Sequence, residues 1–315
     1  MSLLRSAFSL ALALATSTSA FAQRQQPAAR PAARGQARPA AQDTARPDTA
    51  QVRDSLTRFV ESVAIRHLGP AAYSGRVTAI AVPRSTQPRP STFYIGSAGG
   101  GVWKTTNNGV TWQATSSGLG SESIGDLAVA PSDSNLLWAG TGEKNSLRSA
   151  YWGDGVYKST NGGRAWTRMG LGDSRAIGRI VIHPTDPNIV YVAALGSLWS
   201  AGGERGVYKT TDGGTTWNRV LFVNDTTGFV DLEMDPSNPE VLYAASWHRI
   251  RWGGSHMEGV GNGSGIYKTT DGGATWTRLT DPALNNGLPT DRMGRIGLAV
   301  SPQNPSIVYA MIQVD

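Results

Sequence analysis

The sequence predicts an all-β fold, a β-propeller of four-stranded blades with Asp-box turns, and three observations in its 315 residues carry that prediction. A unit of about 50 residues recurs along the chain, which is the length of a propeller repeat. Four of these units carry the same nine-residue turn, each time ending in tryptophan. The segments between turns are short, rich in β-branched and aromatic residues, and show no competing helical period.

The chain begins with targeting signals. Arg5, the apolar run Ala7 to Ala15 and the small-residue pattern Ala20-Phe21-Ala22 together read as a signal peptide over residues 1–22. A membrane-spanning helix needs roughly 20 apolar residues, and this run has about half that. The expectation is an exported chain, periplasmic or extracellular, with no transmembrane segment. Residues 23–54 are rich in Pro, Ala, Arg and Gln, with almost no large apolar side chains, which is the composition of a disordered linker.

Charge separates the same regions. Seven arginines and three aspartates fall within residues 1–54, so the net charge of +6 leaves 22 basic against 20 acidic residues in the remainder. A nearly balanced domain offers no track for a phosphate backbone, and nucleic acid is not expected as a partner. The chain has no cysteine, so the core must hold without disulfides.

Residues 55–315 are the predicted propeller. The turns run Lys104 to Trp112, Lys158 to Trp166, Lys209 to Trp217 and Lys268 to Trp276, with the tryptophans 54, 51 and 59 residues apart. The blades fall at about 74–117, 122–170, 175–221 and 228–280, with a fifth begun at 292–315. Each reads as an inner strand, a second strand after a Pro-rich turn, a third ending at the Lys and an outer one starting at the Trp. The fifth reaches Asp315 before a third strand, and half a blade exposes a sheet edge. The expectation is an incomplete ring, completed by a further C-terminal region or by another chain.

The turn chemistry explains its own residue types. Ser or Thr and Asp or Asn bond nearby backbone amides, glycine permits positive φ, and tryptophan plugs the outer end of the blade. This is the Asp-box pattern, and its structural residues are Asn107, Gly109 and Trp112, then Asn161, Gly163 and Trp166, Asp212, Gly214 and Trp217, and Asp271, Gly273 and Trp276. Asn replaces Asp in two copies. A turn tolerates that exchange, whereas a catalytic carboxylate would not.

In an antiparallel blade these turns share one side with the Pro-rich turns, and the connections between second and third strands lie on the other. Those connections differ most in length, at 97–100, 143–154, 196–205 and 248–264. Variable insertion on one side marks a binding side. Exposed tryptophan beside charge suits stacking on sugars or gripping a peptide, which makes Glu143, Arg148, Trp152, Asp154, Trp199, Arg205, Arg249 and Trp252 the candidate contacts for a peptide or carbohydrate ligand. Tyr151 stands in the same loop. His248 and His256 lack a third ligand, and neither Gly99-Gly100-Gly101 nor Gly261-Asn262-Gly263-Ser264-Gly265 opens a helix after a strand, so no metal and no cofactor are expected.

A second cluster falls on the inner strands. Asp126, Arg179 and Asp231 stand five residues before the strand-ending proline, and Arg76 and Arg295 stand seven before it, on the same face by the period of two. They are expected to meet between blades near the central channel, with Asp126 to Arg179 to Asp231 as ion pairs.

Several motifs carry a family resemblance: Leu68-Gly69-Pro70-Ala71, Ser74-Gly75-Arg76-Val77, Gly140-Thr141-Gly142-Glu143, Gly153 to Ser159 and Gly178 to Pro184. Over roughly residues 66–315 the chain resembles bacterial propeller proteins with a sortilin-type (VPS10-like) N-terminal domain, some of them named BNR-repeat or glycosyl hydrolase proteins. The resemblance implies a multi-bladed propeller longer than this chain. Sortilins carry a Cys-rich module that is missing here, so receptor sorting is not implied.

Asp boxes also occur in sialidases and xyloglucanases. The Arg-Ile-Pro signature of sialidases is missing. An inverting glycosidase of the xyloglucanase type needs two carboxylates about 6.5–9.5 Å apart. The resemblance puts one of them just before the Gly-Gly of the first blade, where this chain reads Ser97-Ala98-Gly99-Gly100, with Ala98 in the acid's place. Glu143, Asp154 and Asp231 remain as acids, none of them assigned a catalytic role. The expectation is a binding or interaction scaffold, and the alternative is a fragment of a glycoside hydrolase acting on polysaccharide. Two convergent carboxylates in a cleft would separate the two.

Overall fold

The computed structural model describes residues 76–84, 91–145, 150–253 and 257–315. The expected signal peptide and linker, residues 55–75, and the candidates Arg148 and His256 lie outside the described residues.

Four four-stranded antiparallel sheets follow one another in strict sequence order. The first holds β1 (Val77–Ala81), β2 (Phe93–Ser97), β3 (Gly101–Thr105) and β4 (Gln113–Ala114), and the second β5 (Ile124–Ala130), β6 (Asp133–Thr141), β7 (Val156–Ser159) and β8 (Thr167–Arg168). The third holds β9 (Ile177–Ile182), β10 (Val190–Ala194), β11 (Gly206–Thr210) and β12 (Asn218–Leu221). The fourth begins with β13 (Thr227–Met234) and β14 (Leu242–His248) and is interrupted by a small hairpin, β15 (Ile250–Arg251) with β16 (Met257–Glu258). It resumes with β17 (Gly265–Thr269) and β18 (Thr277–Arg278), and a single 3-10 turn (Pro282–Leu284) leads to the pair β19 (Met293–Val300) and β20 (Val308–Val314).

The first strands of successive sheets neighbour one another, β1 to β5 to β9 to β13 to β19, which is the packing of propeller blades. The second, third and fourth blades are covered on both faces, so their central strands are buried almost continuously, whereas β1 and β20 of the first and last sheets keep exposed apolar residues. All five residues of β10 are buried. The apolar layers are shared between blades: Trp138 and Val156 of the second pack with Ile177, Ile180, Val190 and Val192 of the third.

The repeated turns are also the stitches between blades. In each turn a buried Ser or Thr hydroxyl accepts the N–H of the box glycine, as Gly109 N to Thr105 Oγ1 at 2.9 Å and Gly163 N to Ser159 Oγ at 2.9 Å. The following Asp or Asn accepts the N–H four residues on, at 2.9 Å in all four copies. The repeated lysine reaches outward from this turn to the next blade. Lys104, Lys158 and Lys209 donate to the carbonyls of Gly162, Gly213 and Gly272, at 3.3, 3.1 and 2.8 Å. Each ammonium also lies over the aromatic ring directly across the strand pair, Tyr94, Trp138 or Tyr191, 5.2 to 5.5 Å from its centroid. Two box tryptophans face backward instead: Trp166 donates to Thr115 O at 2.7 Å and Trp217 to Met169 O at 2.6 Å, both carbonyls of the preceding blade. The tryptophan therefore fixes a blade to its predecessor as well as filling its own outer end.

These turns set an acid limit on stability. Hydrogen bonds from the side chain and backbone of Thr275 hold the Asp271 carboxyl down at about 2, from an ordinary value of 3.8. The backbone N–H and then the hydroxyl of Thr216 depress Asp212 further still. A carboxyl depressed on folding stabilises the protein above its unfolded pKa, and that contribution is lost as pH falls through the folded value. The double variant Asp212→Asn with Asp271→Asn is therefore expected to lose less stability than the wild type as pH falls from about 4 to about 2. Melting temperatures over that range provide the measurement; parallel acid limbs in the two proteins would refute it.

Charge on the inner strands is arranged differently from the expected chain of ion pairs. Asp126 does not bridge to Arg179. Its Oδ2 accepts the N–H of Ile180 in the next blade at 2.8 Å, and its Oδ1 lies 3.5 Å from Lys144 Nζ. Arg179 turns the other way, with Nε 3.6 Å from Asp231 Oδ1 and Nη2 on Glu233. Asp231 repeats the role of Asp126 two blades later, accepting Leu298 N–H at 2.9 Å. A register shift stands beside each aspartate, between Ile124 and Asp126 and between Phe229 and Asp231, and one also stands beside Arg179. A bulge re-aims the side chain toward a neighbouring strand, and period-two counting alone does not see it.

Candidate functional site

The connections between second and third strands meet one another. Arg249 Nη1 donates to Lys144 O and its Nη2 to Gly196 O, both at 3.3 Å, which joins the long loops of three blades. The backbone N–H of Arg251 donates to Leu198 O at 2.7 Å, and Arg295 of the β19 strand reaches Asn145 Oδ1 at 2.9 Å.

Tyr151 and Trp152 stand out of this loop surface, 60% and 58% exposed. Their backbone is fixed from below. Ser123 Oγ donates to Tyr151 O at 3.2 Å, Ser121 Oγ donates to Trp152 O at 2.7 Å, and Gly153 N donates to Arg175 O at 2.9 Å. Two large aromatic faces are thus presented to solvent on a preorganised backbone. Trp152 is a wall shared by three adjoining hollows. One, of about 390 Å³, is lined with Gly99, Ser121, Glu122, Ser123 and Tyr151. The second, of about 150 Å³, is lined with Asp173, Arg175, Ser197, Ser200 and Gly202. The third is a small space beneath, against Leu198, Arg175 and Arg249. The Arg175 guanidinium lies 5.8 Å from the Trp152 ring centroid.

Of the other loop candidates, Trp199 and Trp252 are exposed, each beside a partner: the Arg251 guanidinium 5.8 Å from the Trp199 ring, and Glu258 accepting from Trp252 Nε1 at 3.2 Å. Three candidates face inward and cannot touch a ligand in this arrangement. Glu143 is buried and held by Arg76 through two bonds of 2.8 and 2.6 Å, a contact that also raises the Arg76 pKa. Arg205 is fully buried, its guanidinium taken up by the carbonyls of Leu195, Ser197, Ser200 and Gly202. Arg249 is buried where the loops meet. Burying guanidinium groups among carbonyls is how loops this long satisfy their own backbone, and a sequence shows only that arginines are present there. Asp154 accepts the Tyr157 hydroxyl at 2.5 Å and bonds Thr141 Oγ1 at 3.2 Å, tying the loop to its strand.

Glu122, Asp173 and Arg175 were not singled out from the sequence. They lie in the short connections from one blade to the next, 115–123 and 169–176, whose length gives no sign of function. Only the packing of those connections under the 143–154 loop places them in the hollows.

Asp231 and Glu233 meet on Arg179 on the inner strands, away from the aromatic wall. Each of the three hollows is lined by one carboxylate, Glu122, Asp173 or Glu143. Asp231 is engaged by Arg179 and by two backbone N–H groups, and Ala98, in the place where an acid was sought, is buried. His248 pairs with Glu258 at 3.4 Å and with Thr226 at 3.1 Å.

Comparison with known proteins agrees with the architecture. Residues 154–287 match the family Sortilin-Vps10, described as sortilin, neurotensin receptor 3. The xyloglucanase Xgh74A of Acetivibrio thermocellus is 24% identical over 238 residues, covering 66% of this chain and 25% of that protein. Among solved structures, an ancestral GH74 enzyme is 25% identical with a TM-score of 0.55, covering 76% of this chain and 28% of its own. The GH74 xyloglucanase of Xanthomonas campestris is 19% identical with a TM-score of 0.50, covering 74% and 34%, and shows the fold alone. The resemblance stated from the sequence, to sortilin-like propellers with glycosyl hydrolase relatives, is the one found. The chain spans about a quarter of the length of the first curated relatives it matches.

Proposed function

We propose that this chain is an exported propeller scaffold that binds a polysaccharide across the Tyr151 and Trp152 wall. The observation that carries the reading is Trp152 itself, an exposed indole on a pinned backbone between two open hollows. Sugar rings present apolar faces edged with hydroxyls. Indole and phenol faces would cover the former, while Ser121, Glu122, Asp173 and Ser197 are at hand for the latter. The xyloglucanase relatives favour a β-glucan backbone over a peptide. Export is supported by the signal-like residues 1–22 and by the kind of proteins it resembles, and no helix among the described residues is long and apolar enough to cross a membrane.

The second reading, part of a glycoside hydrolase, is favoured by those same relatives and disfavoured by the lone carboxylate in each hollow. Titration calorimetry with xyloglucan oligosaccharides, alongside a reducing-end assay on the polymer, tests both. Binding without release of reducing ends is expected. Loss of a stacked ring is worth about 0.5–1.5 kcal/mol, so Trp152→Ala is expected to weaken binding by roughly two- to tenfold. Unchanged affinity in Trp152→Ala would remove the proposed wall, and release of new reducing ends by the wild type would favour the hydrolase.

A further inference from the structure

Four tryptophans are exposed among the described residues, and three of them stand on the long loops, one to a blade: Trp152 on the second, Trp199 on the third and Trp252 on the fourth. A single exposed aromatic is ordinary, whereas a connected set of them marks a site. The Tyr151 and Trp152 wall takes up only the first of the three.

The other two are seated as firmly as Trp152. The backbone N–H of Trp199 donates to Ser197 Oγ at 3.1 Å, and the buried Arg205 guanidinium binds the carbonyls of Ser197 and Ser200 on either side of it, at 2.5 and 2.8 Å. Trp252 follows β15, whose two residues are both buried, and its Nε1 donates to Glu258 Oε2 at 3.2 Å. The loops that carry the three tryptophans also adjoin. Ser197 and Ser200, which bracket Trp199, line a hollow walled by Trp152. Leu198 lines the small space under Trp152 and accepts the Arg251 N–H at 2.7 Å, which sets Trp199 and Trp252 on hydrogen-bonded stretches of neighbouring loops. The Arg251 guanidinium lies 5.8 Å from the Trp199 ring centroid. Indoles thus recur from blade to blade, with serine hydroxyls between the first two.

The charges nearest the ring axis are committed to one another: Arg76 to Glu143, Lys144 to Asp126, Arg179 to Asp231 and Glu233, and Arg295 to Asn145. We infer that Trp152, Trp199 and Trp252 form one track, and that its ligand is a linear chain of repeating sugar units lying across the loops of three blades instead of entering the ring axis. The inference rests on the polysaccharide reading of the Trp152 wall and adds to it the course and the least length of the ligand. A single sugar ring covers one indole. A chain that crosses from loop to loop gains each later contact without losing translational freedom a second time.

Titration calorimetry with cello-oligosaccharides graded in length, and with xyloglucan as the polymer, tests it. Affinity should rise with length and then level off. Trp152→Ala should weaken every ligand. Trp252→Ala should leave the shortest binding oligosaccharide unaffected and weaken the longest by roughly two- to tenfold, the worth of one stacked ring. Trp199→Ala should begin to act at intermediate lengths; Arg251 packs against that ring, so Trp252→Ala carries the test if Trp199→Ala does not fold. A long chain bound as tightly by Trp252→Ala as by the wild type, while Trp152→Ala still weakens it, overturns the track and leaves the wall standing. An affinity that does not change with length does the same. No binding by the wild type at any length overturns the polysaccharide reading, and the track with it.

Discussion

Replacing Gly125 by alanine is expected to destabilise the protein by about 3 kcal/mol or more, the upper range for forcing atoms into a packed interior. In a domain of this size that lowers the melting temperature by roughly 6–12 °C. Gly125 lies on β5, where the inner strands of two blades pass each other. A Cβ there would stand 2.2 Å from Ile177 O and 2.3 Å from Gly142 O. Both are backbone atoms in hydrogen-bonded segments, so neither can rotate away as a side chain would. The adjacent Asp126 clasps Ile180 across the same seam, and separating the strands to admit a methyl group would lengthen that 2.8 Å bond too. Gly297 on β19 is the control, because nothing lies within 4 Å of its Cβ position and its φ is not positive. Gly297→Ala is expected to be neutral within about 0.5 kcal/mol. Calorimetry of the two variants provides the test, and similar losses in both would show that the inter-blade seam is not the constraint.

The second large effect is expected at Trp138. Its ring is fully buried in the layer between the second and third blades, edge-on to Trp217 with centroids 5.8 Å apart and with Lys158 Nζ 5.5 Å above it. The turn of the next blade also closes on it, since a Cβ at Gly214 would come within 2.4 Å of the indole. Trp138→Ala would leave a cavity that Met169 and Lys158 beside it could refill only in part, at a cost of about 3–5 kcal/mol. Trp138→Phe is expected to cost markedly less than its lost volume implies. The Trp138 Nε1 is buried without an acceptor among the described residues, so phenylalanine removes an unmatched donor together with the atoms it deletes. Chemical denaturation of the two variants checks both values. Equal losses in Phe and Ala would mean that the indole N–H is not a burden in the native state.

The turns and strands were legible in the sequence because their causes are local. Thr105, Asn107 and Gly109 bond within five residues of one another, and the same types recur at the same spacing in each copy. A nine-residue pattern contains everything such a turn needs, and four copies fix the blade period. Lys104, Lys158 and Lys209 were visible only as markers. Their bonds run to Gly162, Gly213 and Gly272, more than 50 residues away, and nothing local reveals them. Counting in twos expected the inner-strand charges to pair with one another; Arg179 does reach Asp231, but Asp126 and Asp231 each also accept a backbone N–H of the next blade, which no count along one strand reveals.

The loop surface divides in the same way. Length variation pointed to the 143–154, 196–205 and 248–264 connections, and Trp152 was among the residues they offered. Arg205 and Arg249 come from the same loops with equally suitable chemistry, yet both are buried. Whether a loop arginine faces solvent or its own carbonyls depends on where the chain turns back, which composition does not encode. The sequence by itself determined the blade, its turns and its repeat, since these follow from hydrogen bonds and side-chain periodicity within a few residues. The tertiary structure alone decided which loop residues form the aromatic wall, which carboxylates are consumed and which guanidinium is buried at the loop junction, because these depend mainly on contacts between segments from about 28 to 105 residues apart in the chain.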